Sequence, residues 1–194
     1  VSLAIGAPAA YVVSRSRWRE FRNVALGYSL FVRIVPPTVF IIPYFLGARF
    51  LGVNDTWWIL IVAYANLNVP LVMWSLWSFF NDVPRELDEA AKIDGAGHWQ
   101  IFLKVVLPVS APGLTATAIL TFIMAWNEFL LALVLTSREA RTLPVAIVGF
   151  LAYEGADWGL VSSGAVLVMA PIVAFTVFIR KYLVQGLVGG ALKG

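Results

Sequence analysis

Residues 89–108 of this chain read Glu89-Ala90-Ala91-Lys92-Ile93-Asp94-Gly95-Ala96-Gly97-His98-Trp99-Gln100-Ile101-Phe102-Leu103-Lys104-Val105-Val106-Leu107-Pro108. This stretch is the one long polar interruption in the middle of a very apolar sequence. Strong helix formers fill residues 85–93, and Asp82 ahead of Pro84 predicts an N-cap with a proline in the first turn. Gly95 predicts the end of that helix, because glycine takes a left-handed cap conformation without a steric penalty. A second helix is predicted to follow and to end at Pro108.

Two short helices joined at a glycine, between apolar segments, are suited to docking on a partner protein. The same pattern is also compatible with an ordinary loop that packs on its own helices. Spacing alone leaves both interpretations of residues 82–108 open.

Composition places the chain in a membrane. Hydrophobic residues make up 60% of it and charged residues 13%, about half of the ~25% that is usual in soluble proteins. There is no cysteine, which excludes disulfides and thiolate sites, and the single histidine, His98, cannot form a metal site alone. The net charge of +3 is not gathered on one polar face, so nucleic acid is not an expected partner.

The hydropathy pattern predicts an all-α, polytopic transmembrane helical bundle with about five spans present, the first one partial, of an expected six. A bilayer needs ~20 apolar residues, and residues 1–13 are too few, so we expect the rest of that helix upstream of Val1. The second span carries Pro36, Pro37 and Pro43, which predict a kink. The predicted full spans cover residues 25–46, 57–80, 113–135 and 158–179.

Lysine and arginine residues set the expected orientation. They are concentrated in residues 15–22, 85–104 and 180–193, and the positive-inside rule places such segments in the cytoplasm. Residues 82–108 and the C-terminal tail 183–194 are therefore predicted to be cytoplasmic. Residues 137–157 are predicted to form an external loop.

Polar residues recur along the fourth predicted span. Thr117, Thr121, Met124 and Glu128 follow the spacing i, i+4, i+7 and i+11, which predicts a single polar stripe on one helix. Asn66 lies near mid-depth of the third predicted span. Such residues can line a pathway, or they can make the hydrogen bonds that polar groups in a bundle need anyway.

The stretch quoted first resembles the coupling motif of ABC-importer permease subunits. That resemblance rests on Glu89-Ala90-Ala91, on Gly95, on Val105 where isoleucine is commoner, and on Leu107-Pro108. The run Asp94-Gly95-Ala96, with Pro112, is most similar to the sugar-importer (maltose-type) branch. The resemblance covers nearly the whole chain, including residues 126–129 and 141–144 and the glycine-rich end.

Membership of this kind implies contacts with a separate ATPase subunit that binds the ATP; this chain itself has no phosphate-binding loop and is not expected to be an enzyme. No cofactor or metal is expected on this chain. The implied tail contact involves Gly189, Gly190 and Lys193. The implied coupling residues are Glu86, Glu89, Ala90, Ala91, Asp94, Gly95, Ala96, Leu107 and Pro108.

The same resemblance implies a carbohydrate as the transported solute, an extracytoplasmic solute-binding protein, a second permease subunit that is a different chain, and the inner membrane as location. Candidate contacts to sugar hydroxyls are Asn66, Thr117, Thr121, Asn127 and Glu128.

The alternative function is a stand-alone secondary transporter or channel. Glu128 supports it, because an ionisable group at membrane depth can bind a proton or an ion. A carboxylate near the external end of a span can equally be a solvated surface residue. One carboxylate without a repeated, broken helix pair is thin support for ion coupling.

Overall fold

The computed structural model describes residues 1–149 and 158–191, and residues 178–191 by their backbone alone. Within these ranges every regular element is helical, as predicted for the fold class. A π-helical segment, Phe102–Val106, links α6 to α7. The helices are α1 Ser2–Arg15, α2 Arg19–Ile34, α3 Thr38–Leu51, α4 Trp57–Asn81, α5 Arg85–Ile93, α6 His98–Ile101, α7 Leu107–Val109, α8 Ala111–Trp126, α9 Leu130–Leu135, α10 Leu143–Gly149 and α11 Trp158–Ala191.

Two helices in the described part of the chain are long and apolar enough to cross a membrane, namely Trp57–Asn81 and Trp158–Val177. The count rises to four if two bent helix pairs each form one span, and these pairs are Arg19–Ile34 with Thr38–Leu51 and His98–Val109 with Ala111–Trp126. Both long helices contain a proline, Pro70 and Pro171. The neighbouring helices of a bundle can accommodate such a proline.

Two of the predicted spans are interrupted. The span predicted over residues 25–46 is broken at residues 35–37, because Pro36 and Pro37 lack a backbone N–H and restrict the residue before them. Pro43, in contrast, lies inside α3. The span predicted over residues 113–135 is broken at residues 127–129. The kink predicted from the prolines of the second span is therefore found at Pro36 and Pro37, with a bend of 93° between α2 and α3, whereas the unbroken helix predicted over 113–135 was wrong.

The chain packs as two compact units. Unit 1 contains Val1–Ile34, Asn68–Thr121 and the C-terminal segment from Arg180. Its buried core joins α1, the second half of α4 and the π-helical segment through Ala10, Tyr11, Leu76, Phe80 and Phe102. Gly6 permits the close packing in this core, because a Cβ there would lie 2.6 Å from a methyl carbon of Val72.

Unit 2 contains Val35–Leu67 and Phe122–Ile179. Its core joins α3, the first half of α4 and α9, with Ala48, Ala63, Leu131 and Ala132 almost fully buried. Small residues at three of these positions let the helices approach closely, which is how packing stabilises helices in lipid. The single permease domain predicted over 1–194, with its loops 82–108 and 137–157, stays a prediction.

The last helix is longer than its predicted span. That span was expected to end near residue 179, and α11 continues as a helix to Ala191. Residues 150–157 of the predicted external loop and residues 192–194 of the predicted tail lie outside the described residues.

Candidate functional site

The helix that opens residues 82–108 ends as Gly95 predicts. Gly95 has φ 83°, its N–H donates to the carbonyl of Lys92 (3.0 Å), and the N–H of Ala96 donates to the carbonyl of Ala91 (2.9 Å). This pair of bonds is the Schellman arrangement that satisfies the last carbonyls of a helix. Ala91 and Ala96 are half-buried and pack against the core of unit 1. The angle between the two short helices is therefore set by local backbone chemistry.

The start of the first short helix and the end of the second differ from the predicted positions. Pro84, not Asp82, occupies the N-cap position of α5, and no side chain caps it. Pro108 lies within the last helical turn, which runs on to Val109. Proline is tolerated there because it sits at the start of the short helix α7, where a missing N–H costs little.

The second short helix is held by aromatic packing. Phe102 is buried, and its ring centroid lies 5.1 Å from that of Tyr11 in α1, 6.2 Å from that of Phe80 in α4 and 5.7 Å from that of Trp99. Val106 is fully buried beside it. These contacts fix the helix His98–Val109 to α1 and α4.

The first short helix is held by an ion pair. Nε of Arg15 lies 2.7 Å from Oδ2 of Asp88, and Nη2 of Arg15 lies 3.1 Å from Oδ1 of the same carboxylate. The guanidinium also donates to the carbonyl oxygens of Phe80 (3.0 Å) and Val83 (3.3 Å). The half-buried side chain of Arg15 thus joins the end of α1, the end of α4 and helix α5.

The remaining predicted coupling residues divide by exposure. Ala91, Ala96 and Leu107 are half-buried against the core, whereas Glu86, Glu89, Ala90, Asp94 and Pro108 are exposed. Large apolar side chains are exposed among them. Ile93 is 87% exposed and Trp99 66%, with Leu87 and Leu103 exposed as well.

We call this set of exposed acidic and apolar side chains the docking surface. Its members are Glu86, Leu87, Glu89, Ile93, Asp94, Trp99 and Leu103.

The residues predicted to line a pathway lie in α4, in α8 and just beyond the end of α8. Thr117 and Thr121 are buried in α8, and the hydroxyl of Thr121 donates to the carbonyl of Thr117 (2.7 Å). Asn66 is half-buried in α4. The side-chain amide of Asn127 donates to the carbonyl of Ile123 (2.8 Å), just beyond the end of α8. Their role in substrate transport stays a prediction.

Glu128 does not continue the predicted stripe, because α8 ends at Trp126. Its carboxylate instead accepts hydrogen bonds from the backbone N–H groups of Leu131 (2.9 Å) and Ala132 (3.2 Å). A carboxylate at this end of a helix satisfies N–H groups that have no partner within the helix. The carboxylate that suggested ion coupling therefore caps the N-terminus of α9.

The predicted tail contacts are only partly within the described residues. The backbone of Gly189 and Gly190 belongs to α11, and Lys193 lies outside the described residues.

Sequence reasoning missed Asp55, which lies just before α4. Its carboxylate accepts four backbone hydrogen bonds, from Ser137 (2.8 Å), Arg138 (2.8 Å), Glu139 (3.1 Å) and Ala140 (3.2 Å). The N–H groups of Ser137 and Arg138, followed by those of the next two residues, hold the pKa of Asp55 well below its usual value. The only local signal was a carboxylate just ahead of a helix, a position that is common on protein surfaces.

A second missed pair is Arg15 and Asp88. In the sequence, Arg15 is one of the basic residues at 15–22 that set the orientation, and Asp88 is one residue of the helix predicted over 85–93. A basic residue at the end of one helix and an acidic residue in the next polar loop gave no pairing signal, because 73 residues separate them.

The family described as "binding-protein-dependent transport system inner membrane component" matches residues 2–189. This chain belongs to that family. It is therefore a transport protein of the ABC-importer permease type and not an enzyme, as predicted. Its family implies ATPase and binding-protein partners in general terms.

Curated relatives align with this chain over nearly its full length. A trehalose transport system permease protein, SugB, from Mycobacterium tuberculosis is 39% identical over 100% of this chain and 72% of its own length. A trehalose/maltose transport system permease protein, MalG, from Thermococcus litoralis is 39% identical over 100% of this chain and 70% of its own. A probable ABC transporter permease protein from Sinorhizobium fredii is 39% identical over 98% of this chain and 68% of its own.

Two solved structures share the fold of this chain. A bacterial ABC transporter involved in the import of the acidic polysaccharide alginate matches with a TM-score of 0.70 and 25% identity, over 93% of this chain and 68% of the other. The MetNI methionine ABC transporter in an inward-facing conformation matches with a TM-score of 0.74 over 95% of this chain and 87% of the other; at 21% identity it supports the fold alone. The stand-alone transporter is not favoured by these relatives.

Proposed function

We propose that this chain moves a carbohydrate across the membrane and that its docking surface binds a separate ATPase subunit, which holds the ATP. The observation that carries the proposal is the combination of exposed acidic and apolar side chains on a loop that is itself anchored in the core of unit 1.

The composition of the docking surface fits a protein partner. Ile93 and Trp99 are large apolar residues that remain 87% and 66% exposed within a polar segment. Exposed apolar groups of this kind, rimmed by polar residues, mark protein–protein interaction sites. The exposed carboxylates of Glu86, Glu89 and Asp94 favour a partner with a complementary basic surface, which speeds association and fixes the docking register.

Anchoring makes the loop able to transmit force. The guanidinium of Arg15 holds α5 to α1 and α4, and Phe102 holds the second short helix to the same two helices. Close-packed contacts have discrete arrangements and transmit displacement instead of absorbing it. Movement of a bound ATPase would therefore displace the ends of α1 and α4.

The proposal also includes an orientation in the membrane and a set of partner subunits. The docking surface and the C-terminus face the cytoplasm, where ATP is available, as the distribution of Lys and Arg also favours. The end of α11, with Gly189 and Gly190, and Lys193 beyond it, contacts the ATPase. A second permease subunit, a different chain, completes the pathway, and residues 137–157 face a solute-binding protein outside.

The substrate class rests on the relatives. Two of them, each 39% identical to this chain, are named for trehalose and for trehalose or maltose. We propose an oligosaccharide as the solute. Asn66, Thr117, Thr121, Asn127 and Glu128 remain the candidates along its pathway, and membrane lipid surrounds the bundle.

The substrate is tested with the complete complex, which contains the ATPase, both permeases and the binding protein, in proteoliposomes. Binding protein loaded with trehalose or maltose should stimulate ATP hydrolysis, and an amino acid should not. Stimulation by amino acids alone would overturn the carbohydrate assignment.

Docking is tested with Glu89→Lys, which places a like charge against a basic partner surface. A like-charge contact costs several kcal/mol at an interface, so the ATPase should be lost during purification or its hydrolysis should be uncoupled from uptake. Glu20→Lys, the same reversal at an exposed residue of α2, is the matched control. Equal ATPase retention and equal uptake for both variants would refute the docking surface.

A further inference from the structure

Unit 2 contains a cavity of about 350 Å³ that is lined by none of the residues proposed above for the solute pathway. Three pieces of chain enclose it: the N-terminal part of α4, the C-terminal part of α8 and the residues that lead into α10. Its volume lies in the range of roughly 300–1,000 Å³ that is usual for ligand pockets. The lining residues are Trp57, Tyr64, Phe122, Ala125, Trp126, Arg141, Thr142, Leu143 and Pro144.

Four of these nine lining residues are aromatic. Phe122 and Trp126 are stacked, with centroids 5.5 Å apart and ring planes at 26°. The indole N–H of Trp126 donates to the carbonyl of Val168 (3.0 Å), which fixes the plane of that ring. Trp57 lies at the first turn of α4 and is 62% exposed, so its ring is accessible to a ligand. Flat aromatic faces favour a ligand with an apolar face.

Polar groups at one side of the cavity favour a ligand that also carries hydroxyl groups. The hydroxyl of Thr142 is buried and has no hydrogen-bond partner among the residues that the structure describes. An unpaired buried hydroxyl is costly and is satisfied by a ligand that both donates and accepts. Arg141 adds a guanidinium with several N–H donors. A lipid acyl chain would leave the hydroxyl of Thr142 unpaired.

The wall that carries these polar groups is held in place. The carboxylate of Asp55 binds the N–H groups of residues 137–140, which immediately precede Arg141 and Thr142. A wall that is ordered before binding lowers the entropy cost of binding a ligand.

We propose that this cavity binds one ring of the transported carbohydrate, with the ring's apolar face against Trp57 and its hydroxyl groups on Thr142 and Arg141. The proposal rests on the proposed function, which supplies the carbohydrate, and it adds a binding site outside the predicted pathway residues. A sugar ring combines an apolar face with hydroxyl groups, which is the combination that the cavity offers.

The test uses the absence of native cysteine from this chain. Leu143→Cys places one thiol in the cavity wall at a residue that is 42% exposed. In lipid nanodiscs that hold the ATPase and both permeases without the binding protein, trehalose or maltose should slow the modification of this thiol by a methanethiosulfonate reagent, measured by the mass of this chain. Arg138→Cys, an exposed position outside the cavity, is the control thiol that neither sugar should protect.

Two further substitutions, each combined with Leu143→Cys, test the assigned contacts. Trp57→Leu removes the accessible ring, and Thr142→Val replaces the unpaired hydroxyl with a methyl group of similar size. Each should raise the sugar concentration for half-maximal protection roughly three- to tenfold. Trp58→Leu, at a 70% exposed neighbour outside the cavity, and Thr176→Val, at an exposed threonine of α11, should leave it unchanged.

The outcomes separate this proposal from the proposed function. Protection that is weakened by the two cavity variants and not by the two controls supports the site. Absence of protection in the otherwise unchanged chain overturns the site, even if loaded binding protein still stimulates ATP hydrolysis. Protection that persists in both cavity variants also overturns the assigned contacts, as does protection by an alkyl detergent but by neither sugar.

Discussion

Arg15 and Asp88 are 73 positions apart in the chain and form a two-contact ion pair with N–O distances of 2.7 and 3.1 Å. Their side chains are only 14% and 8% exposed. The pair fastens the helix that carries Glu86 and Glu89 to the helix that begins the chain. The ion pair is therefore one of the contacts that connect the docking surface to α1 and α4, beside the packing of Phe102 on Tyr11 and Phe80.

Asp88→Ala should detach α5, because it leaves the half-buried Arg15 guanidinium without its counter-charge. Removing one partner of a buried pair costs about 3–5 kcal/mol. We expect a lower melting temperature of the purified complex and less ATPase retained after purification, with membrane insertion unchanged. Asp82→Ala, at an exposed carboxylate of the same loop, is the control. Identical melting temperature and retention for the two variants would contradict the anchoring role.

Gly95→Ala should misalign the two short helices, because φ at Gly95 is 83° and an L side chain costs about 1–2 kcal/mol in that region. Space is not the obstacle, since a Cβ at Gly95 would meet nothing within 4 Å. Gly97→Ala has equal space and a φ of −73°, which makes it a control for size without backbone strain. Solute uptake per ATP hydrolysed should fall for Gly95→Ala only. Equal loss in both variants would mean that the left-handed conformation is not what matters.

Asp55→Ala should free the backbone of residues 137–140, whose four N–H groups lose their acceptor. Amide hydrogen exchange at these residues should accelerate by roughly tenfold or more, because local opening no longer breaks charge-assisted bonds. Asn54→Ala, at the exposed neighbouring residue, should leave the exchange rates unchanged. Unchanged exchange in Asp55→Ala would show that other contacts hold the segment.

The carboxylate of Asp55 also determines how the protection of residues 137–140 depends on pH. Its pKa is lowered in the folded chain from the usual value of 3.8, so its stabilisation is fully present above that value and is lost as the pH falls below it. Between pH 5 and 8 the protection of residues 137–140 should be constant after correction for intrinsic exchange. A change of protection centred near neutral pH would contradict the assignment to Asp55.

Glu128→Gln distinguishes a helix cap from an ion-binding site. A glutamine side chain offers one acceptor oxygen where the carboxylate offers two, so we expect a loss of about 0.5–2 kcal/mol of stability. Uptake by the complex should keep its dependence on pH, because no proton moves through this residue. Loss of the pH dependence together with retained stability would restore the ion-coupled interpretation.

Local chemistry determined what the sequence could predict about this protein. The apolar composition and the span-length runs required helices, because backbone groups in lipid must be satisfied within the segment itself. Gly95 ended a helix for a reason contained in one residue, and its left-handed conformation is confirmed. The resemblance of residues 89–108 led to the family, because a docking motif is encoded by residues close together in the chain.

Tertiary structure decided how these helices are held. Arg15 pairs with Asp88, and Asp55 binds the backbone of residues 137–140. More than 70 residues separate the partners in each case, so no periodic sequence pattern indicates the contact. Glu128 fitted a helical stripe by spacing, yet its carboxylate binds N–H groups that belong to the next helix. A charged side chain takes the partner that the folded chain brings near it. Sequence spacing alone does not contain that proximity, because it depends on how distant helices pack.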